Sequence, residues 1–128
     1  MERYDPEIAP VSEEWLALDE GERILLVEAY HRESRIRLPM SRRKLHATFH
    51  VTVENQLAEH DEPVVRALER LMKEGLSRHD AVHAIGSVVA EEIYDVLKLG
   101  KAPDPSHARY YTAIEHLTAA SWRAQGDH

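Results

Sequence analysis

Apolar side chains recur along most of the chain at the three-to-four-residue spacing of an α-helix, and residues that start or stop helices separate the periodic segments. In the second segment, for example, Ile24, Val27 and Tyr30 fall on one face. Two prolines among residues 1–11 predict an extended arm instead. Counted with their caps, the predicted helices cover residues 12–18, 19–33, 41–59, 63–75, 77–99 and 104–122, followed by a frayed tail at 124–128.

The third segment is rich in β-branched residues, which lowers its helix propensity and leaves a local strand as an alternative. We interpret it as a helix because His46, His50 and Glu54 recur every four positions. The whole pattern then predicts an all-α fold. It is a compact bundle of five or six helices that forms a single helical domain over residues 1–128.

Composition narrows the range of functions. The chain of 128 residues has a formal net charge of −7 and no cysteine. The absence of cysteine excludes disulfides and thiolate metal ligands, and the negative charge disfavours binding to nucleic acid or to an anionic membrane. No apolar run reaches the roughly 18–20 residues of a membrane span. The acidic N-terminus lacks the apolar segment of a signal peptide, so we expect a cytoplasmic protein.

A basic segment from Arg32 to Lys44 is the exception to this acidic composition, since it holds six basic residues against the single acid Glu33. We interpret it as a solvated stretch between helices that offsets acids elsewhere in the fold. The alternative is a docking surface for an anion or a partner protein. No aromatic residue lies between the basic residues, which argues against single-stranded nucleic acid as the partner.

Two pairs of histidines with i,i+4 spacing lie on the predicted third and fifth helices: His46 with His50, and His79 with His83. Residues four apart share one helix face and lie about 6 Å apart along the axis, so two imidazoles can converge on one metal ion. One such pair arises easily by chance. Two pairs on separate helices of a cysteine-free chain predict a metal site.

Carboxylates extend both histidine faces, Glu54 on the third helix and Glu91 on the fifth. His46 and Glu54 are about 12 Å apart along the axis, whereas metal–ligand bonds are about 2 Å long, so one ion cannot bind every candidate. Parallel helices would place His46 level with His79 and form a four-histidine cluster suited to zinc, nickel or iron. Antiparallel helices would pair Glu54 with His83 and Glu91 with His46, in mixed sites that suit iron or manganese. A site shared by two copies across a two-fold axis is the third arrangement.

The segments HATFHVTVENQ, from His46, and HDAVHAIGSVVAEEIYDVL, from His79, resemble a family of small bacterial proteins, the domain of unknown function 1841 family. The resemblance covers roughly residues 45–97 and rests on agreement in spacing, residue type and order. The family has no established activity. Ser87 stands where many relatives carry an acid, which disfavours a carboxylate-rich site for two metals. The resemblance implies that one site contains His46, His50, Glu54, Gln56, His79, His83 and Glu91.

From the sequence we expect a divalent metal ion, zinc or iron, bound through the two histidine pairs, with Glu54 or Glu91 as a ligand or as a partner of a ligand. Gln56, Asp80 and Ser87 are candidates for holding the imidazoles in orientation. The alternative is a metal-free interaction or dimerisation module, in which the histidines form a polar packing network and the chain pairs as a homodimer. No motif assigns a catalytic residue or a small-molecule substrate. We expect a surface position for the other five histidines: His31, His60, His107, His116 and His128.

Overall fold

Helices account for the regular structure throughout the described chain. The computed structural model describes residues 1–33 and 40–125, with the backbone alone for residues 33 and 40–43. No β-strand occurs within these ranges, so the all-α prediction is confirmed. Each helix described there is too short or too polar to cross a bilayer. The helices are α1 (Ser12–Ala17), α2 (Glu20–Glu33), α3 (Met40–Ala58), α4 (Glu62–Lys73), α5 (Arg78–Leu99), α6 (Ala108–His116) and α7 (Ala119–Ala124).

Several helix boundaries fall where local capping chemistry predicts them. Asp19 and Glu22 each accept a hydrogen bond from the other's backbone N–H at the start of α2. At the start of α5, the Ser77 hydroxyl accepts from the N–H of Asp80 at 3.1 Å. The same helix ends at Gly100, whose φ of 72° is the left-handed conformation that glycine adopts without strain. These boundaries are fixed by residues close together in sequence.

The single last helix predicted over residues 104–122 is wrong. The Asp104 carboxylate accepts a hydrogen bond from the N–H of Arg109 at 2.9 Å and holds a turn, so α6 begins only after it. Thr118 then caps a separate α7 by accepting from the N–H of Ser121. Such side-chain bonds to the backbone compete with continuation of a helix. The described chain therefore has seven helices, of which two, α1 and α7, are only six residues long and the other five form the predicted all-α bundle.

The central helix, α3, lies between two apolar clusters. Its Val51 packs with the N-terminal arm, α1 and α2, whereas its Val53 packs with α4, α5, α6 and α7. Both valines are fully buried, and this packing outweighs the low helix propensity of β-branched residues. Because both α2 and α5 contact α3, side chains from three helices can meet beside it.

The N-terminal arm, residues 1–11, packs across the start of α5. Tyr4 and Pro6 are buried. The carbonyl of Pro6 accepts a hydrogen bond from the Arg78 guanidinium at 2.9 Å, and the Glu7 carboxylate accepts from the N–H of His79 at 2.7 Å. These bonds hold the arm in place and carry Tyr4 into the space between α3 and α5.

Two predictions concern residues beyond the described part of the chain. Of the basic segment's side chains, only those of Arg32 and Lys44 are described, and both are exposed. The other basic residues of the segment lie outside the described side chains. Residues 126–128 of the predicted frayed tail also lie outside the described residues.

Candidate metal centre

Histidine side chains from α2, α3 and α5 meet in one cluster whose members are buried or half-buried. One ring nitrogen from each of His31, His50, His79 and His83 lies within 4.8 Å of the others. His46 joins them through its Nε2, which lies 2.9 Å from Nε2 of His83. Zinc–nitrogen bonds of about 2.0–2.1 Å place two tetrahedral ligands about 3.4 Å apart, so side-chain movements of about 1 Å close the four nitrogens around one ion. We call these five residues the histidine cluster.

The two sequence pairs face each other on antiparallel helices. The ring centroids of His46 and His83 are 4.5 Å apart, and those of His50 and His79 are 5.4 Å apart. Glu54 then reaches the first residue of α5. As the residue number increases along α3, the number of the contacting residue on α5 decreases, so the helices are antiparallel and the parallel arrangement is wrong. The register anticipated for antiparallel helices is also wrong, because histidine lies against histidine rather than Glu54 against His83.

His31 belongs to the cluster, so its predicted surface position is wrong. It is 4% exposed, and its ring centroid lies 4.6 Å from that of His46 and 5.3 Å from that of His50. A signal for this position exists in the sequence, since His31 follows the buried Val27 by four residues and continues the apolar face of α2. The remaining histidines that the structure describes are exposed as predicted, and these are His60, His107 and His116. His128 lies outside the described residues.

Hydrogen bonds to Nδ1 fix the tautomer of two cluster histidines. Nδ1 of His31 lies 2.8 Å from the carbonyl oxygen of Val27. Because a carbonyl only accepts, Nδ1 carries the proton and Nε2 keeps a lone pair. Nδ1 of His50 lies 3.2 Å from the Tyr4 hydroxyl, which donates its own proton to the Glu54 carboxylate. The Tyr4 oxygen therefore accepts from His50, and Nε2 of His50 also keeps a lone pair for a metal.

The Tyr4 hydroxyl donates to one member of a buried ion pair, Glu54 with Arg78. Glu54 and Arg78 are 1% and 7% exposed, and two hydrogen bonds of 2.8 Å join them in bidentate geometry. Burial, followed by the neighbouring Glu54 carboxylate, raises the pKa of the Tyr4 hydroxyl well above its ordinary value. Tyr4 thus stays protonated and continues to donate to Glu54. Sequence reasoning missed both Tyr4 and Arg78, because neither residue belongs to the i,i+4 spacing that identified the histidine pairs.

The predicted carboxylate candidates are placed away from the converging nitrogens. Among the described residues, the group of four possible ligands contains histidines alone. Both oxygens of Glu54 bind Arg78, so Glu54 acts on His50 through Tyr4 rather than as a ligand. Glu91 is exposed on α5.

The predicted orienting residues have separate roles. Gln56 accepts a hydrogen bond from the Tyr110 hydroxyl at 2.7 Å. The Ser87 hydroxyl donates to the carbonyl of Ala84 at 2.7 Å. Asp80 acts on the cluster electrostatically, because its charge opposes the effect of burial on the pKa of His79.

Two ring nitrogens of the cluster are buried with no hydrogen-bond partner in the described part of the chain: Nε2 of His50 and Nε2 of His79. An unpaired buried polar atom costs about 1–3 kcal/mol, and folded proteins satisfy nearly all such atoms. A metal ion satisfies both nitrogens at once, because a neutral imidazole nitrogen is a common metal ligand.

Four of the five histidines in the cluster are held in the neutral form that metal binding requires. Burial lowers the pKa of His46 from 6.5 to about 4, with further lowering by His31 and His79. Burial also lowers the pKa of His50 well below its ordinary value, again helped by neighbouring histidines. The pKa of His31 and that of His79 are lowered by burial as well. Neutral imidazoles bind a metal without first releasing a proton.

In the metal-free protein, we expect the free energy of unfolding to fall as the pH drops from about 6.5 to about 4. In that window the unfolded chain binds protons that the folded chain does not, so acid favours unfolding. The shift of His46 from 6.5 to about 4 corresponds to at most about 3 kcal/mol, because solvent screens part of the charge on this half-buried ring. Urea midpoints measured after metal removal test this, with His46→Gln as the variant that should reduce the dependence. A midpoint that stays constant between about pH 7 and pH 5 would contradict the prediction.

Fold and site together define a helical bundle with a buried cluster of histidines at the junction of three helices. No protein-family model, curated protein or solved structure matches this chain. The resemblance to the domain of unknown function 1841 family stays a prediction, and the site is interpreted from its own chemistry.

Proposed function

We propose that this protein binds one divalent metal ion through His31, His50, His79 and His83. The observation that carries the proposal is the convergence of four imidazole nitrogens within 4.8 Å at a place where Nε2 of His50 and of His79 lack other partners in the described chain. A purely structural packing of histidines gains nothing from leaving these nitrogens unpaired. This ligand set differs from the sequence-based one, because His31 takes the place of His46.

The ligand chemistry favours zinc or iron. Imidazole suits zinc, copper, iron and nickel, whereas magnesium and calcium need oxygen ligands. The chain has no cysteine, so soft thiolate coordination does not contribute. Four imidazoles complete a tetrahedral zinc site, and His46 beside them supplies a fifth imidazole for a metal with a larger coordination number.

His46 would have a distinct role once a metal is bound. Its Nε2 and that of His83 share a hydrogen bond of 2.9 Å. A metal at Nε2 of His83 breaks this bond, because the nitrogen then has no lone pair to accept and no proton to donate. His46 would then lie beside the ion, with its Nε2 available as a further ligand or as a proton acceptor.

Metal content of protein purified without a polyhistidine tag tests the proposal. We expect about one zinc or iron per chain and a large loss of thermal stability after chelation, reversed by adding the metal. At a free metal concentration of about 1,000 times Kd, binding contributes about 4 kcal/mol of stability, or roughly 10–20 °C in Tm for a chain of this size. Protein that contains no metal, and whose Tm does not respond to zinc or iron, would contradict the proposal.

The alternative is a metal-free interaction module, and contacts within the cluster favour it. The hydrogen bond between His46 and His83 and the edge-to-face ring contacts of the cluster are interactions that a polar packing network of histidines would use. Light scattering of the metal-free chain at several concentrations tests whether such a module pairs as a homodimer. The homodimer and the cytoplasmic location both stay predictions.

A further inference from the structure

A cavity adjoins the histidine cluster on the side that faces α7. Its volume is about 190 Å³. The rings of His46, His50 and His83 form one wall, while Phe49 and Trp122 supply aromatic surface. The other lining residues are small ones on α5, namely Gly86, Ser87 and Ala90.

The cavity wall is apolar apart from the imidazoles. The Ser87 hydroxyl is already used, since it donates to the carbonyl of Ala84 at 2.7 Å. No charged side chain of the described residues lines the cavity. His50 is 2% exposed, and its Nε2 has no partner in the described chain. The apolar part of a ligand in the cavity would therefore lie beside a buried nitrogen that is available to a metal.

A metal ion here would carry positive charge that its own neutral ligands do not balance. All four proposed ligands are imidazoles, and the nearest buried carboxylate, Glu54, is neutralised by Arg78. Asp5, Glu7 and Asp80 act electrostatically on the cluster through His79, but none of them lines the cavity. A buried charge is costly unless it is paired. An anion that enters the cavity and binds the metal supplies negative charge at the ion itself.

We infer that the cavity binds the alkyl chain of a small monocarboxylate whose carboxylate group coordinates the metal ion as a fifth ligand beside the four imidazoles; this inference rests on the proposed metal function. A volume of 190 Å³ holds about six non-hydrogen atoms at roughly 30 Å³ each, which is the size of butyrate. The carboxylate balances the charge of the ion, and the alkyl chain lies against Phe49 and Trp122. No bond is made or broken apart from the coordinate bond to the metal.

The cobalt(II) form of the protein provides the test, because its visible absorption reports ligand exchange at the metal. We expect acetate, propionate and butyrate to change the spectrum, with Kd falling about fourfold for each added methylene. The cation propylammonium should have no effect. Ala90→Leu fills much of the cavity and replaces none of the proposed ligands, so it should weaken butyrate binding at least about tenfold while the cobalt content stays the same. Ala120→Leu, at an exposed position of α7, is the matched control and should behave like the parent chain.

The possible outcomes separate the two proposals. Two results would overturn the carboxylate inference while the metal centre stands. In the first, the chain binds cobalt stoichiometrically but its spectrum does not respond to any of the three carboxylates. In the second, the affinities for the carboxylates do not depend on chain length. A chain that takes up no cobalt overturns both proposals. If Ala90→Leu does not fold, Ala90→Val is the smaller substitution to use, and the chain-length series on the parent protein remains a test by itself.

Discussion

Replacing His31 by alanine is expected to lower zinc affinity by more than about 100-fold, which exceeds the roughly 10–100-fold loss typical of removing a partner of a ligand. His31 supplies one of four nitrogens that lie within 4.8 Å of one another, and its bond to Val27 presets Nε2 for the metal. A competition titration against a chelator of known affinity measures the change. The matched control is His116→Ala, because His116 is exposed at the end of α6 and should bind zinc like the parent chain.

The same titration on His46→Ala distinguishes the structure-based ligand set from the sequence-based one. His46 contacts His83 but lies outside the group of four, so its loss should have a clearly smaller effect than that of His31. The opposite order, with His46→Ala abolishing binding and His31→Ala retaining it, would show that the two i,i+4 pairs are the ligands and that the assignment of His31 is incorrect.

Glu54→Gln is expected to lower the free energy of unfolding by about 3–5 kcal/mol, the range for breaking a buried ion pair. The glutamine leaves the Arg78 guanidinium, 7% exposed, without a charge partner in the interior. It also removes the anionic acceptor of the Tyr4 hydroxyl. Thermal or urea unfolding measures the loss, which corresponds to roughly 10–20 °C in Tm for a chain of this length.

Glu62→Gln is the control for this substitution, because Glu62 pairs with Arg66 at 2.8 Å on the surface of α4 with both side chains more than half exposed. Such a pair contributes at most about 1 kcal/mol. Replacing both Glu54 and Arg78 by methionine should recover much of the lost stability, since an apolar pair leaves no unpaired charge. If Glu54→Gln is as mild as Glu62→Gln, the buried pair does not stabilise the fold in this way.

Local sequence predicted those parts of the protein that neighbouring residues control. The caps at Asp19, Ser77 and Gly100 work through side chains and backbone groups within a few positions, so the starts of α2 and α5 and the end of α5 follow from the sequence. The i,i+4 spacing of the histidines likewise places each pair on one helix face. The predicted last helix is wrong because Thr118 and Asp104 make local bonds of the same kind that the pattern of apolar residues does not show.

The sequence by itself therefore determined the helices, their polar faces and the presence of two histidine pairs, because these depend on bonds and spacings within one turn or two. Only the tertiary structure decided that α3 and α5 run antiparallel in a register that puts His46 against His83. It also decided that His31 completes the cluster and that Glu54 binds Arg78, 24 positions away, and Tyr4, 50 positions away. Helix direction and register are set by the packing of whole apolar faces, which side-chain spacing along a single segment does not encode.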